Sequence, residues 1–427
     1  MTESGLRIAM VTTFYPPFNF GGDGVYVQRL ARALAARGHH VEVIHDTDGY
    51  RALSGTTPEA PASDNGIPVH RLASNQPVLS SLAVQQLGHP ARHRAALRDL
   101  LTDRFDVIHF HNVSLIGGPG IWKYGTGVKL HTAHEHWMVC PTHILWRDNR
   151  EICDKRRCLR CILRHRRPPQ LWRATNLISR EARHVDRFLM LSQSSADNHR
   201  RFGFAAPMTV FPSFLPKSEG SAANTTELDQ SPPYILFVGR LEIIKGLQDV
   251  IPAFNDLSAE LWIAGSGNYE STLRALGKDN PRVRFLGRKP MHELRRLYRD
   301  AVAVVTPSRC YEVFPMVVLE AFQEATPIVA RALGPYPEII EASGGGQLFT
   351  TAEDLRSALT HYITNPAAAA ADGQCGRKAF DRLWSEDVVI GQYFHEIAAA
   401  ARDRGLDDVA RRAAKFATDA NDELVNG

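Results

Sequence analysis

YILFVGRLEIIKG, Tyr234 to Gly246, opens with five apolar residues and ends on a turn carrying two cations. The apolar run reads as a buried strand, and Gly239 and Arg240 as the point where the chain leaves it. Arg240 then stands just past the strand's carboxyl end, and Lys245 follows five residues later, where a helix is expected to begin. Two cations fixed there suit a diphosphate, the arginine as a planar fork and the lysine as a point charge. A solvated loop would read the same way from these residues alone.

The pattern continues outward. ELWIAG (Glu260–Gly265), VRFLG (Val283–Gly287), AVAVVTPS (Ala301–Ser308) and TPIVAR (Thr326–Arg331) read as further strands with helices between them. The N-terminal half shows the same alternation. RIAMVTTF (Arg7–Phe14) is followed by a helical period over Val25–Gly38, then by HVEVIHD (His40–Asp46), DVIHFHN (Asp106–Asn112) and GVKLHTAHE (Gly127–Glu135). Strand–helix alternation of this kind predicts parallel, doubly wound sheets and an α/β fold.

Between the halves, PKSEGSAANTTELDQSPP (Pro216–Pro233) is polar and punctuated by Gly and Pro, the mark of a linker. The expected division is a first domain over 1–215, a linker over 216–233 and a second domain over 234–385. Helices and a tail over 386–427 are expected to return to the first domain, fraying after Arg402. Two doubly wound domains facing across a cleft would place ligands at the strands' carboxyl ends.

At 427 residues the chain is long enough for two such domains, and 44% hydrophobic with 22% charged residues is ordinary for a globular protein. A net charge of +4 is too small to imply nucleic acid. The basic residues are uneven, however: Lys155 to Arg187 holds eleven Lys/Arg against Glu181 and Asp186. No stretch approaches the ~20 apolar residues of a membrane span. The start MTESGLRIAMVTTF lacks a signal peptide's basic and long apolar segments, so a cytoplasmic address is expected.

In the second half, YEVFPMVVLEAF (Tyr311–Phe322) places Glu312 and Glu320 eight residues apart, a spacing that lets one helix turn both toward a cleft. The N–H groups of Val313, Phe314, Met316 and Val317 would then meet phosphate oxygens at its start. Pro315 supplies no N–H. A helix-entry carboxylate and an unrelated salt-bridged glutamate would fit the same spacing. AGSGNYE (Ala264–Glu270) is a glycine turn that either approaches a ligand or is an ordinary tight turn.

Taken in order, VGRLEIIKG, LWIAGSGNYE, VRFLGRKP and VVTPSRCYEVFPMVVLEAFQEATPIVA resemble the donor domain of the retaining glycosyltransferases of family 4, which have the GT-B fold. FYPPFNFGGDGVYVQRLARALAARGHHVEVI (Phe14–Ile44) is similar to that family's glycine-rich loop and first helix. The resemblance implies that Arg240 and Lys245 bind the diphosphate of a nucleotide sugar and that Glu320 bonds the ribose. It places Glu312 on the donor sugar, Gly21 and Gly22 beside the diphosphate and acceptor, and Gly287 near the base. His134 would sit near the reactive carbon, although HEH (134–136) leaves His136 as the other candidate; His134 is preferred by position. The implied reaction moves a hexose to an acceptor hydroxyl with retained configuration and no catalytic metal, in cell-envelope, polysaccharide or glycolipid synthesis.

One segment stands outside this scheme. Cys140, Cys153, Cys158 and Cys161 follow C-x12-C-x4-C-x2-C within an insertion over 137–167. Four thiolates suit a structural zinc, with an iron–sulfur cluster as the other candidate and unligated thiols as the third. His136, His143 and His165 are nearby substitutes. Cys310 and Cys375 stand apart as ordinary core or surface residues. The basic run KRRCLRCILRHRR (Lys155–Arg167) suits an anionic or lipid-linked acceptor, a membrane surface or a solvated face. A metal-stabilised nucleic-acid module is the rival from another class, and a GT-B sugar-nucleotide epimerase is the rival enzyme; no nucleic-acid partner is expected for the transferase.

Overall fold

The computed structural model describes residues 5–216 and 232–417, so most of the expected linker lies outside the described residues. The chain forms two compact units. The first gathers the N-terminal segment to Ile144, Lys155–Ser213 and the segment from Glu386 onward; the second holds Leu145–Asp154 and Phe214–Ser385.

In chain order the first part runs β1 (Arg7–Thr12), α1 (Gly22–Ala36), β2 (His40–Asp46), α2 (Asp48–Ser54), β3 (Ser63–Asp64), β4 (Ile67–Leu72), α3 (Pro77–Leu87), α4 (Arg94–Leu101), β5 (Val107–Phe110) and β6 (Val128–Ala133). The Cys-rich segment adds β7 (Trp146–Arg147), β8 (Glu151–Ile152) and α5 (Cys158–Arg164), followed by α6 (Leu177–Ala182), β9 (Arg187–Met190), α7 (Gln193–Arg201) and β10 (Met208–Val210). The sheet of this unit has the order β10-β9-β6-β5-β1-β2-β4-β3, parallel except for β3 against β4. Chain order reverses between β1 and β5, so the crevice of this unit opens beyond their carboxyl ends.

The second unit continues with β11 (Tyr234–Val238), β12 (Glu260–Ala264), α8 (Glu270–Leu276), β13 (Val283–Gly287), α9 (Met291–Asp300), β14 (Ala303–Thr306), α10 (Met316–Gln323), β15 (Ile328–Arg331), α11 (Tyr336–Ser343), β16 (Gly346–Phe349), α12 (Ala352–Thr364) and α13 (Pro366–Ala379). Its sheet is parallel with the order β13-β12-β11-β14-β15-β16, the doubly wound pattern with its switch point between β11 and β14. Strand alternation feeds two cores. Ile235, Phe237, Leu261 and Ile263 enter one, while Tyr234, Leu236 and Trp262 enter the other. Both faces are therefore covered, which is why these strands read as continuous apolar runs.

Two helices close the described chain, α14 (Glu386–Asp403) and α15 (Asp407–Ala414). The segment after Arg402, expected to fray, is helical as far as Ala414 because it has something to bury. Ala410 and Ala413 are buried, Phe416 packs edge-on to His39 at 4.3 Å, and Arg412 holds Asp106 with two bonds of 2.9 and 3.1 Å. Among the described residues no helix is long and apolar enough to cross a membrane.

Candidate active site

The switch point of the second unit gathers the residues singled out in its sequence. Beyond β11, the chain turns through Gly239 and Arg240 to Lys245; beyond β14 it passes Ser308 to Glu312. The two loops are fastened together. Arg309 N–H donates to Ile244 O at 2.8 Å, and Gly246, in the left-handed region at φ +76°, lies where an added Cβ would stand 2.0 Å from Pro307 O.

Lys245 Nζ meets Glu312 Oε1 at 2.7 Å, and Ser308 Oγ donates to the same oxygen at 2.7 Å. Burial alone would neutralise both ends of this pair. The opposite charges outweigh it, so the Glu312 carboxyl is held below and the Lys245 ammonium above its ordinary range. Arg240 is exposed, bonded to Glu242 Oε1 at 2.7 Å, and adds its charge to the field at Glu312. Beside the pair, burial and then the Glu312 charge push the Cys310 thiol up to about 12, which makes it a packing residue.

The idea of a single helix carrying both glutamates is overturned. Helix α10 begins at Met316 with Pro315 in extended conformation as its N-cap, so Glu312, Val313 and Phe314 lie in the preceding loop. A proline disfavours helical geometry in the residue before it, which sets this boundary. Met316 and Val317 are the first helical residues, and their N–H groups face the helix's entry. Glu320 sits one turn further on, half-buried, where Tyr298 Oη donates to its Oε2 at 2.6 Å.

Gly287 ends β13 at φ +69° with open space around its Cβ position, and its carbonyl accepts from Gly265 N at 2.8 Å. The AGSG turn is explained by packing. A Cβ on Gly265 would stand 1.9 Å from Gly239 O, and one on Gly267 would stand 2.3 Å from Leu241 O.

The crevice of the first unit is lined by the ends of β1, β5 and β6 and by the start of α1. Gly21 is the extended N-cap of α1 and Gly22 its first residue, both exposed. Next to them, Asp23 Oδ1 accepts from Gly24 N at 2.8 Å and Oδ2 from Asn112 Nδ2 at 3.0 Å. Burial, and then the neighbouring Glu135, push the Asp23 carboxyl up.

His134 follows β6, with its Nε2 3.0 Å from His111 Nδ1 and its ring 4.8 Å from that of Tyr26. Burial lowers it to about 4, so the imidazole is neutral near pH 7. His136 is instead fully buried and stacked on His199 at 5.3 Å. Glu135 pairs with His143 Nδ1 at 2.7 Å. Sequence reasoning missed Asp23, His111, Asn112, Ser308 and Tyr298. His111 and Asn112, just past β5, and Ser308, just past β14, offered a signal in their place at strand ends; Tyr298 offered none.

In the Cys-rich segment, Cys140, Cys158 and Cys161 belong to the first unit, while Cys153 lies with the β7–β8 hairpin in the second. Cys140 Sγ is 3.3 Å from Thr142 Oγ1, and the Cys158 thiol is pushed up by burial and by Cys140. Arg173 organises this region. Its guanidinium lies 4.6 Å from the Trp172 ring and 5.4 Å from that of Trp137, donates to Trp137 O at 2.7 Å, and bonds Gln170. Burial lowers it to about 10 against the opposing pull of Cys140 and Cys158. Among the described residues, Asp46, Asp48 and His93, all buried, lie close enough together to hold a metal ion.

Comparison with known proteins agrees with this architecture. Residues 20–217 match the model of Glycosyltransferase Family 4, and residues 221–379 match that of Glycosyl transferases group 1. The chain is 30% identical over 403 residues to a glycogen synthase of Mycobacterium tuberculosis, covering 87% of this chain and 90% of the relative. It is 28% identical over 415 residues to a D-inositol 3-phosphate glycosyltransferase of Pseudarthrobacter chlorophenolicus, covering 90% and 93%. Among solved structures, sucrose-phosphate synthase of Thermosynechococcus elongatus superposes with a TM-score of 0.68 at 20% identity, covering 92% of this chain and all of that one. Anabaena HepE in complex with UDP gives 0.66 at 17%, with the same coverage. These matches favour neither the nucleic-acid module nor the epimerase, and with the two doubly wound units they establish that the chain belongs to the GT-B glycosyltransferases.

Proposed function

We propose that the chain transfers a hexose from a nucleoside diphosphate sugar to an acceptor hydroxyl with retention of anomeric configuration. The observation that carries this reading is the Lys245–Glu312 pair at the switch point of the second sheet, with Arg240 beside it. HepE structures with UDP, and with UDP-glucose, support a nucleotide-sugar donor.

Charge develops on the departing diphosphate, and preorganised cations stabilise it without reorganising during the reaction. Arg240 and Lys245 supply that charge, and the N–H groups of Met316 and Val317 add donors at the start of α10. Glu312, held ionised, accepts hydrogens from donor-sugar hydroxyls, while Glu320 accepts from the ribose. Val313, Phe314 and Pro315 form the wall between them, and Gly287 lies near the base.

Gly21 and Gly22 have neither positive φ nor a neighbour crowding the Cβ position, so nothing among the described residues requires glycine there. A ligand approaching closely does. Neutral His134 offers the sugar a hydrogen bond near the reactive carbon. The acceptor oxygen bonds to that carbon on the face the diphosphate leaves, and the departing phosphate oxygen takes the acceptor's proton.

The acceptor is proposed to be anionic or lipid-linked, meeting the basic segment 155–187, with peripheral membrane contact. Cys140, Cys153, Cys158 and Cys161 are assigned to structural zinc on donor chemistry and spacing, which elemental emission and visible absorption distinguish from iron–sulfur. A thermal-shift screen of nucleotide sugars, followed by product release with the best, identifies the donor. An Arg240→Ala/Lys245→Ala protein is expected to lose at least about 10²–10³-fold in kcat. Turnover at the parental rate would remove the diphosphate role.

A further inference from the structure

We infer that helix α3, with Leu53 and Leu171 beside it, is a docking surface for an anionic lipid bilayer. Helix α3 is built inside out. It buries Ser80 and Ser81 along with Val84, while Val78, Leu79 and Leu87 are 52%, 55% and 57% exposed and Leu82 is exposed too. A surface helix ordinarily turns its aliphatic stripe to the core. The inversion has a local cause: the interior beneath α3 is polar, with Ser80 Oγ 3.5 Å from His93 Nε2 and that nitrogen 2.9 Å from Asp48 Oδ2.

The apolar surface extends beyond the helix. Helix α2 packs on α3 and contributes exposed Leu53. At the other end, Trp172 Nε1 donates to Gln85 O at 2.8 Å, which brings Leu171, 72% exposed, to the last turn of α3. Clustered exposed aliphatics of this kind mark a contact surface.

Charge selects the occupant. PVLSSLAVQQL has no ionisable side chain, yet cations stand at both ends. Arg92 bonds Gln76, the N-cap of α3, and Arg51 donates to Ser74 O at 3.0 Å. Past the C-terminal end, Lys123, Arg94 and Arg180 act on His89, and exposed Arg166 and Arg167 precede Leu171. The acids here are buried and paired, Asp48 with Arg51 at 3.5 Å and Glu181 with Arg180 at 2.9 Å, so Arg92, Arg94, Lys123, Arg166 and Arg167 make up the rim.

An uncharged aliphatic strip with a cationic rim fits acyl chains beneath anionic headgroups. A second copy of the chain fits poorly, since face-to-face association would oppose two cationic rims. The same composition recurs on α5, where Leu159 and Leu163 are exposed four residues apart, each followed by an arginine, Arg160 and Arg164. This surface gives a place to the lipid-linked acceptor proposed above and rests on that reading only for its role in catalysis.

The test is co-sedimentation of the full-length protein with large vesicles of phosphatidylcholine and phosphatidylglycerol, against vesicles of phosphatidylcholine alone. The parent is expected to pellet with the anionic vesicles and to be released by salt. Val78→Ser/Leu79→Ser/Leu82→Ser is expected to bind about tenfold more weakly or worse, the three side chains being exposed and so dispensable for folding. The thermal shift caused by UDP or GDP is measured on both proteins in vesicle-free buffer. A shift retained in the variant shows that the donor half is intact, whereas its absence from both proteins counts against the transferase reading and leaves the vesicle result standing. Equal pelleting of parent and variant, no pelleting of the parent, or parental self-association that the variant abolishes would each overturn the lipid surface.

Discussion

The surroundings of Glu312 in the second unit and of His134 in the first handle buried polarity in opposite ways. In the second, Lys245 and Glu312 at the switch point are ionised and paired, and Ser308 donates to the same carboxylate. In the first, neutral imidazoles lie along the strands and on the elements packed against them. His45, His109, His111, His131, His136 and His199 are buried, and burial holds each below its ordinary value. Some are satisfied by neutral partners: His109 bonds Thr132 Oγ1 at 2.8 Å and Tyr393 Oη at 3.1 Å, and Trp122 Nε1 donates to His131 Nδ1 at 3.3 Å. Charge is thus paired at the switch point of the second unit, while the imidazoles around His134 in the first are kept uncharged.

The largest test of this contrast is at Lys245. Lys245→Met removes a cation proposed to bind the diphosphate and leaves Glu312 half-buried with only the Ser308 hydroxyl bonded to it, which is expected to cost about 3 kcal/mol in unfolding free energy. Lys245→Met/Glu312→Gln restores most of that stability, since no lone charge remains, but restores none of the turnover. Chemical denaturation and steady-state kinetics on the three proteins separate the two effects. A single variant as stable as the parent would mean that the pair is not a buried ion pair in solution.

Acidification tests the other half. His131 is held at about 3, and His134 and His199 at about 4, against an unfolded value near 6.5. The unfolded chain binds more protons across that window, so stability is lost as pH falls from about 6.5 toward 4. Charging one such imidazole in the fold costs on the order of 3 kcal/mol. Glu312, whose carboxyl is held down, stays ionised through most of this range. Hydrogen exchange near pH 7 and near pH 5 is therefore expected to show faster opening of β1, β5 and β6 than of β11, β12 and β14 on acidification. Equal acceleration in the two units would break the contrast.

Legibility in the sequence divides along the same line. The second unit was readable because apolar runs fix its strands and motif residues cluster just beyond them. The placing of Arg240, Lys245 and Glu312 beyond strand ends needed only those runs, and their proposed role the rule that ligands gather at strand carboxyl ends. What failed there was helix phase: eight residues between Glu312 and Glu320 suggested one helix, and Pro315 divides the segment. In the first unit, VKLHTA reads as a strand, but the partners of His131 lie at Trp122, before the strand, and at Phe188 on β9, positions that no period of the strand records. The inverted polarity of α3 was hidden for a related reason. Ser80 faces inward only because Asp48 and His93 make the interior polar, and no local period records that.

Two glycine substitutions sharpen the comparison at smaller cost. A Cβ on Gly24 would stand 3.0 Å from both Phe14 O and Asn19 Cβ, so Gly24→Ala is expected to lower stability by about 1–2 kcal/mol. Gly22 has open space at its Cβ position, so Gly22→Ala is expected to leave stability within about 0.5 kcal/mol of the parent while raising KM or lowering kcat. Thermal unfolding alongside kinetics gives the answer, and a Gly22→Ala enzyme with parental kinetics would remove the ligand from the glycine loop.

The smallest effect is expected at Tyr298, which connects the core of the second unit to its site. The ring is fully buried and its hydroxyl donates to Glu320 at 2.6 Å, the bond that fixes this carboxylate on α10. Tyr298→Phe keeps the packing and removes one hydrogen bond to a charged acceptor, worth about 1.5–3 kcal/mol in full. Because Glu320 is only half-buried, water recovers part of that loss, and the drop in stability should fall at or below the lower figure. If Glu320 holds the ribose, its loosened carboxylate raises the donor KM several-fold with kcat little changed, since the ribose is remote from the bond that breaks. A fall in kcat at unchanged KM would instead place Glu320 in the chemical step and align it with Glu312.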